Sequence, residues 1–302
     1  MVVRGKVYLE EIIYYCINVN VKWSIKRRVI MKPESVSEQM MYNTVRLETT
    51  SGCGTGSYFN FKIGEHTVPV IITNKHVINY KEQEKVKFLV HTKDDNGNPS
   101  GNVRIEYDAH WTFHKEKDIC FCYANPLFEE IKRRYYKEVF YIANDESLIP
   151  NKEKLNELSA LEELVMIGYP IGLWDEVNNY PIFRKGFTAC HPAIDFNQNG
   201  IGLIDMACFP GSSGSPIYIL NEGGYRDKKG NTYLGQSRIV LIGYLFAGPC
   251  YSASGSLTIE TIPTQQSVVS LTPVMVNLGY YVKSNEILTF KEKIKQDLKV
   301  LI

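Results

Sequence analysis

From Thr44 onward, short runs rich in Val, Ile, Tyr, Phe and Thr alternate with clusters of Gly, Asn, Asp and Pro. Such runs fit strands joined by turns, because β-branched and aromatic side chains pack on a pleated surface while Gly, Asn and Pro suit its reversals. The pattern predicts strands over 57–63, 68–73, 84–91, 103–107, 118–123, 163–168, 181–189, 202–208, 215–220, 238–246 and 267–272. Asp95-Asn96-Gly97-Asn98-Pro99 and Asn221-Glu222-Gly223-Gly224 are turn signals between them. Two stretches are periodic as helices instead. Over 126–141, Phe128, Ile131, Tyr135 and Val139 recur at helical spacing behind Asn125-Pro126, and the charge run 129–134 makes the solvated face. Over 285–302, Ile287, Phe290, Ile294, Leu298 and Leu301 fall on one side. The polar stretch 144–160 separates two β-rich halves, 31–150 and 151–302.

The most apolar early stretch, 7–21, is interrupted by Glu10 and Glu11 and falls short of the roughly 20 apolar residues that span a bilayer. Its basic cluster, Lys26-Arg27-Arg28, follows the apolar run, whereas a secretory signal places charge before it. A coding sequence for Lys26-Arg27-Arg28-Val29-Ile30-Met31 can contain AGGAGG, a ribosome-binding sequence, just ahead of a Met codon. Two expectations follow for residues 1–30: a leader with the true start at Met31, or a genuine N-terminal extension.

Composition narrows the function classes. At 302 residues and 44% hydrophobic, the chain can build real cores. Lys+Arg number 34 and Asp+Glu 33, for a formal charge of +1, so no global field draws it to nucleic acid or to an anionic membrane. Seven Cys with no C-x-x-C pair argue against a disulfide framework and a zinc ribbon. Reduced thiols and a cytoplasmic location are the expectation.

The most informative stretch is Phe209-Pro210-Gly211-Ser212-Ser213-Gly214-Ser215-Pro216, a small-residue turn leading into an apolar strand. Such a turn can expose a hydroxyl while aiming backbone N–H groups at one spot, and acyl transfer needs both a nucleophile and donors for the developing oxyanion. Alone, a Gly/Ser turn is only a turn. Histidine order discriminates. No His follows His191, so the Ser, acid, His order of α/β-hydrolases is unavailable to a nucleophile at 213, and Ser215 breaks G-x-S-x-G. No Asp precedes His76 or His91, which removes the subtilisin order for both. The order His, Asp, Ser remains. His76 follows an apolar strand that runs out at Thr73, and Asp118 opens another, Asp118-Ile119-Cys120-Phe121-Cys122-Tyr123.

With these residues in place the chain resembles the trypsin-like (chymotrypsin-fold) serine peptidases, especially the bacterial intracellular and HtrA-like branch without a PDZ domain. Gly54-Thr55-Gly56-Ser57 looks like the family's glycine strand, Thr73-Asn74-Lys75-His76-Val77 like its histidine motif, Lys117-Asp118-Ile119 like its aspartate motif, and Gly211-Ser212-Ser213-Gly214-Ser215-Pro216 like its serine motif. The resemblance implies an all-β fold of two packed antiparallel six-stranded barrels, the first with His76 and Asp118, the second with Ser213 and followed by the C-terminal helix. It implies that Ser213 attacks a peptide carbonyl, His76 carries the proton and Asp118 fixes the imidazole tautomer. It further implies an oxyanion hole from the N–H groups of Gly211 and Ser213, and substrate contacts from Ala207, Phe246, Ala247 and Gly248. The partner would be a peptide or protein substrate, and no metal or organic cofactor is called for.

Departures from the digestive enzymes matter too. Ser212 stands where those enzymes carry an aspartate that binds a freshly cut N-terminus, so activation of that kind is not expected. Val77 replaces a disulfide cysteine, leaving Cys53 without that partner, and Cys208 and Cys250 are expected as packed thiols. Ala207, with Met206 and Cys208 beside it, leads to an uncharged, small to medium residue before the cut, whereas a register shifted onto Asp205 would restore a basic preference. His110 and His114 with Asp108 invite a metal reading, but they read better as the approach to Asp118 since H-E-x-x-H is absent. Ser212 and Ser215 remain alternative nucleophiles, and a catalytically silent scaffold on the same fold is the rival to the peptidase.

Overall fold

The computed structural model describes residues 31–257 and 268–301, so both expectations for residues 1–30 fall outside the described residues. After a short helix α1 (Val36–Met40), capped by Ser35 and Glu38, the first half lays down β1 (Thr44–Thr49), β2 (Gly52–Ile63), β3 (His66–Thr73), β4 (Gln83–Lys93), β5 (Pro99–His110), β6 (Thr112–Phe113) and β7 (Cys120–Tyr123). Helix α2 (Ala124–Tyr135) and two short strands, β8 (Glu138–Phe140) and β9 (Asn144–Asp145), complete it. The strands hydrogen-bond in the order β5-β4-β1-β2-β3-β7-β6, with β8 on β4 and β9 on β2. Because β6 continues β5 just past Trp111, the sheet begins and ends on the same stretch of chain and so curls back on itself.

After α3 (Lys152–Glu157), the second half contains β10 (Glu163–Gly168), β11 (Ile182–Thr188), β12 (Ile201–Asp205), β13 (Pro216–Asn221), β14 (Gly224–Arg226), β15 (Thr232–Leu234), β16 (Arg238–Ala247), β17 (Cys250–Leu257), β18 (Val268–Met275) and β19 (Leu278–Lys283), followed by α4 (Phe290–Leu301). Six of these close a barrel in the order β10-β11-β12-β19-β16-β13; β14 with β15 and β17 with β18 form separate hairpins. This matches the chymotrypsin-like double-barrel fold expected from the sequence, with a closed six-stranded barrel in the second half, whereas the first half forms a curled nine-stranded sheet where six strands were expected.

Strand periodicity explains why the halves hold together. Tyr58 and Ile71 point into the first barrel's core with Val45, Leu47 and Phe88. Their neighbours Phe59, Phe61, Val70 and Ile72 point the other way, into a second core shared with Val165, Ile167, Tyr218 and Tyr244 of the second half and with Ile287, Phe290 and Ile294 around α4. β2 and β3 are therefore buried on both faces, which locks the barrels in one relative placement. A polar island adds register: the Tyr218 hydroxyl donates to Asn43 Oδ1 at 2.8 Å and accepts from Asn144 Nδ2 at 2.8 Å, all three groups being buried.

Some element boundaries differ from expectation. The first helix ends at Tyr135, not 141, because Tyr136 turns left-handed at φ 54°. Val139 then serves a strand, β8, paired with Thr92 of β4, and its helical spacing is coincidental. Asp118 lies in the loop two residues before β7 and does not open it, and the predicted strand over 202–208 stops at Asp205. β1, β17, β19 and the β14–β15 hairpin add strands that the apolar runs do not mark.

Candidate active site

β3 runs out at Thr73, and the chain tightens into a 3-10 turn, His76–Ile78, closed by Asn79 at φ 57°. Val77 and Ile78 pin this turn from below through the first barrel's core. Val77 packs so closely on β2 that a Cβ at Gly54 would come within 2.5 Å of it, so the glycine is a condition of the turn's position. The imidazole is left one-third exposed, and Nδ1 lies 2.6 Å from Asp118 Oδ2. The other carboxylate oxygen accepts the His76 main-chain N–H at 3.2 Å, and Asn74 Nδ2 donates to the Asp118 carbonyl at 2.7 Å. An ionised carboxylate only accepts, so in this contact Nδ1 is the donor and Nε2 is the ring nitrogen left free of Asp118.

The turn 209–216 is built from backbone geometry. Gly211 and Gly214 sit at φ 86° and 84°, in the left-handed region, and a Cβ at Gly214 would collide with the Thr55 carbonyl. Its amides divide into two sets. Those of Ser212, Gly214 and Ser215 donate to the carbonyls of Phe209, Leu245 and Ser212 at 3.0, 2.8 and 3.0 Å, whereas those of Gly211 and Ser213 donate to no described residue. The three serines also differ. Ser212 and Ser215 are fully buried with engaged hydroxyls, Ser212 Oγ accepting from Arg184 and Ser215 Oγ donating to Thr55 Oγ1, while Ser213 is partly exposed.

Thr55, which the sequence offers only as part of a glycine strand, is the hub joining the barrels. Its N–H donates to the Ser213 carbonyl at 2.9 Å. Its buried hydroxyl donates to the Gly211 carbonyl at 3.1 Å and accepts from the Tyr169 amide and Ser215 Oγ, both at 3.2 Å. Thr73 Oγ1, three residues before His76, donates to the Thr55 carbonyl at 2.8 Å. The turn at 213 is thus docked on the strand ends that lead to His76. The imidazole's own hydrogen bond runs to Asp118, and none joins it to Ser213 among the described residues.

Phe246 and Ala247 end β16 and Gly248 follows it, all half-buried beside the turn, where the amide of Leu245 meets the Ser215 carbonyl at 3.0 Å. Ala207 is half-buried between the buried Met206 and Cys208, and Asp205 is exposed on β12. Burial pushes the Cys208 thiol up to about 11. Cys53, Cys208 and Cys250 are free, and a Cβ at Gly211 would lie 3.2 Å from Cys53 Sγ. His110 is exposed, whereas His114 is buried with Nδ1 accepting from the amides of Glu116 and Lys117 at 3.1 and 2.9 Å, so the two do not share a site. No described helix is long and apolar enough to cross a membrane.

No protein-family model and no curated protein sequence matches the chain. Solved structures similar to it include the serine protease of a human pathogenic astrovirus, with 13% identity over 80% of this chain and 89% of that one and a TM-score of 0.37. Another is an inactivated protease paralogue of the scabies mite, with 10% identity over 85% and 96% and a TM-score of 0.40.

Proposed function

We propose that this protein is a serine endopeptidase that cleaves peptide bonds through an acyl-enzyme on Ser213. The observation that carries the reading is the His76–Asp118 pair, whose 2.6 Å contact orients the imidazole on a chain linked through Thr73 and Thr55 to a turn with one partly exposed serine and two unspent amides. In this reading His76 Nε2 takes the Ser213 proton as the hydroxyl attacks and returns it to the leaving amine, and Asp118 stabilises the imidazolium between those steps. The N–H groups of Gly211 and Ser213 receive the oxyanion, which develops charge where the substrate carbonyl has little. The missing His76–Ser213 bond does not weigh against this, because catalytic hydrogen bonds are often long before substrate closes on them.

Ser213 is preferred over Ser212 and Ser215 because only its hydroxyl is both accessible and uncommitted. Phe246, Ala247 and Gly248 would align the substrate backbone, and Ala207, with no acid beside it facing inward, suits an uncharged residue before the cut. The HtrA-like branch and a cytoplasmic setting belong to the same proposal. A fluorophosphonate probe tests it: wild type is expected to label on Ser213, and Ser213→Ala and His76→Ala are expected not to label while keeping the wild-type fold. Absence of labelling in wild type would favour the silent scaffold.

A further inference from the structure

The turn that presents Gly211 and Ser213 is held from behind by a cation with no counter-ion among the described residues. β11 and β12 pair only at Phe187–Asp205 and Thr188–Ile204, so beyond that point the two strands part. Gly186 marks the parting, since a Cβ there would collide with the Asp205 carbonyl and crowd Met206. Arg184 lies two residues further along the same face of β11 and reaches across the gap. Its Nη1 donates to the Ala207 carbonyl and its Nη2 to Ser212 Oγ at 2.6 Å, while Nε is buried with no partner among the described residues. No described carboxylate pairs with it, and burial works against its charge. A sequence that only needed to fill this gap would put an apolar side chain there, because an unpaired and largely desolvated cation is costly.

The two acceptors explain the arrangement. Ala207 is where the chain leaves β12 for the turn, and Ser212 stands between the two residues with unspent amides, Gly211 and Ser213, so one planar fork ties the start of the turn to the residue between those amides. We infer that Arg184 is the positioning residue of the oxyanion-binding turn, holding it in its receptive form from within the fold and setting a positive charge behind it. With serine at 212, no carboxylate neutralises that charge. The inference rests on the peptidase reading above and deepens it: the turn is preset by a side chain of the same barrel and needs no chain terminus to shape it. A lysine is a poor substitute, being a single flexible point donor where two acceptors must be spanned.

The test compares Arg184→Met, Arg184→Lys and Ser212→Ala with wild type and with Lys185→Met, an exposed neighbour on the opposite face of β11. Steady-state kinetics on a cleavable peptide, fluorophosphonate labelling rates and melting temperatures are recorded for each. Arg184→Met is expected to lose kcat by about 10²- to 10³-fold, the scale of a lost oxyanion donor, with KM changed far less. Arg184→Lys should restore little, and Ser212→Ala should lose about tenfold, having forfeited one of the two anchors. Added guanidinium ion should recover activity in Arg184→Met alone, which general destabilisation would not allow, and Lys185→Met should behave as wild type. If Arg184→Met does not fold, Arg184→Lys and Ser212→Ala carry the test through the same split of kcat from KM. An active wild type with Arg184→Met and Ser212→Ala equally active overturns this inference alone. A wild type that neither labels nor cleaves overturns the peptidase reading and this inference with it.

Discussion

The two barrels contribute to the candidate site in different ways. On the first barrel, the proposed base His76 and its carboxylate partner Asp118 are joined directly, on a turn that follows one buried strand and a loop that precedes another. On the second, apart from the proposed nucleophile Ser213, the groups offered are backbone amides. Two left-handed glycines and a division of the amides into spent and unspent shape the turn, and its conformation depends on groups elsewhere: Thr55 from the opposite barrel in front and Arg184 behind. Damage on the first side should therefore show in turnover with the fold intact, whereas damage to the groups that hold the second side's turn should show in both.

The largest effect should come from the first side. Asp118→Asn keeps the size of the side chain but offers the imidazole an amide, which favours the wrong tautomer. Turnover should fall by about 10⁴-fold with little movement of the melting temperature; a variant retaining more than a tenth of wild-type kcat would remove Asp118 from the mechanism. On the second side, Thr55→Val matches the shape but strands the Gly211 carbonyl, the Tyr169 amide and the Ser215 hydroxyl in a dry interface. Chemical denaturation should show a loss of about 2–3 kcal/mol together with reduced kcat, while Thr55→Ser should retain most of both. Equal stability of Thr55→Val and wild type would mean that the barrels are joined by the apolar core alone.

The smallest effect concerns His114, which ties the loop before Asp118 to the segment ahead of α4. Burial lowers its pKa below the usual imidazole value, opposed by Glu286 at 3.4 Å and by Glu116, with Lys75 and Lys117 adding to the lowering. A folded-state pKa below the unfolded one means that the unfolded chain takes up the proton first. This contribution to stability is complete above about pH 6.5, the ordinary imidazole value, and is lost as pH falls below it. Melting temperature should drop on acidification, and His114→Gln should flatten that slope; an unchanged slope would assign the acid sensitivity elsewhere.

The first side was more legible in the sequence than the second, and for a physical reason. His76 and Asp118 stand next to apolar runs whose periodicity is local, so their positions near strand ends can be read to within two or three residues. Ser213 is marked by glycines that a tight turn requires. Arg184 carries no such mark: in Ile182-Phe183-Arg184-Lys185-Gly186 it looks like half of a solvated pair, and only the parting of β11 from β12 turns it inward. Thr55 is silent for the same reason, its hydroxyl partners arriving from residues 169, 211 and 215. Tyr136 ends α2 without the glycine that usually announces a left-handed residue, and β17, Cys-Tyr-Ser-Ala-Ser-Gly-Ser-Leu, lacks the apolar alternation that marks other strands.

The central claim is that Ser213, His76 and the two unspent amides serve one reacting carbon. A crystal structure of the protein after reaction with a peptidyl phosphonate measures this directly. The account predicts phosphorus bonded to Ser213 Oγ, the phosphonyl oxygen about 2.7–3.1 Å from the nitrogens of Gly211 and Ser213, and His76 Nε2 within hydrogen-bond reach of the adduct. An adduct on another residue, or a phosphonyl oxygen pointing away from both amides, would contradict it.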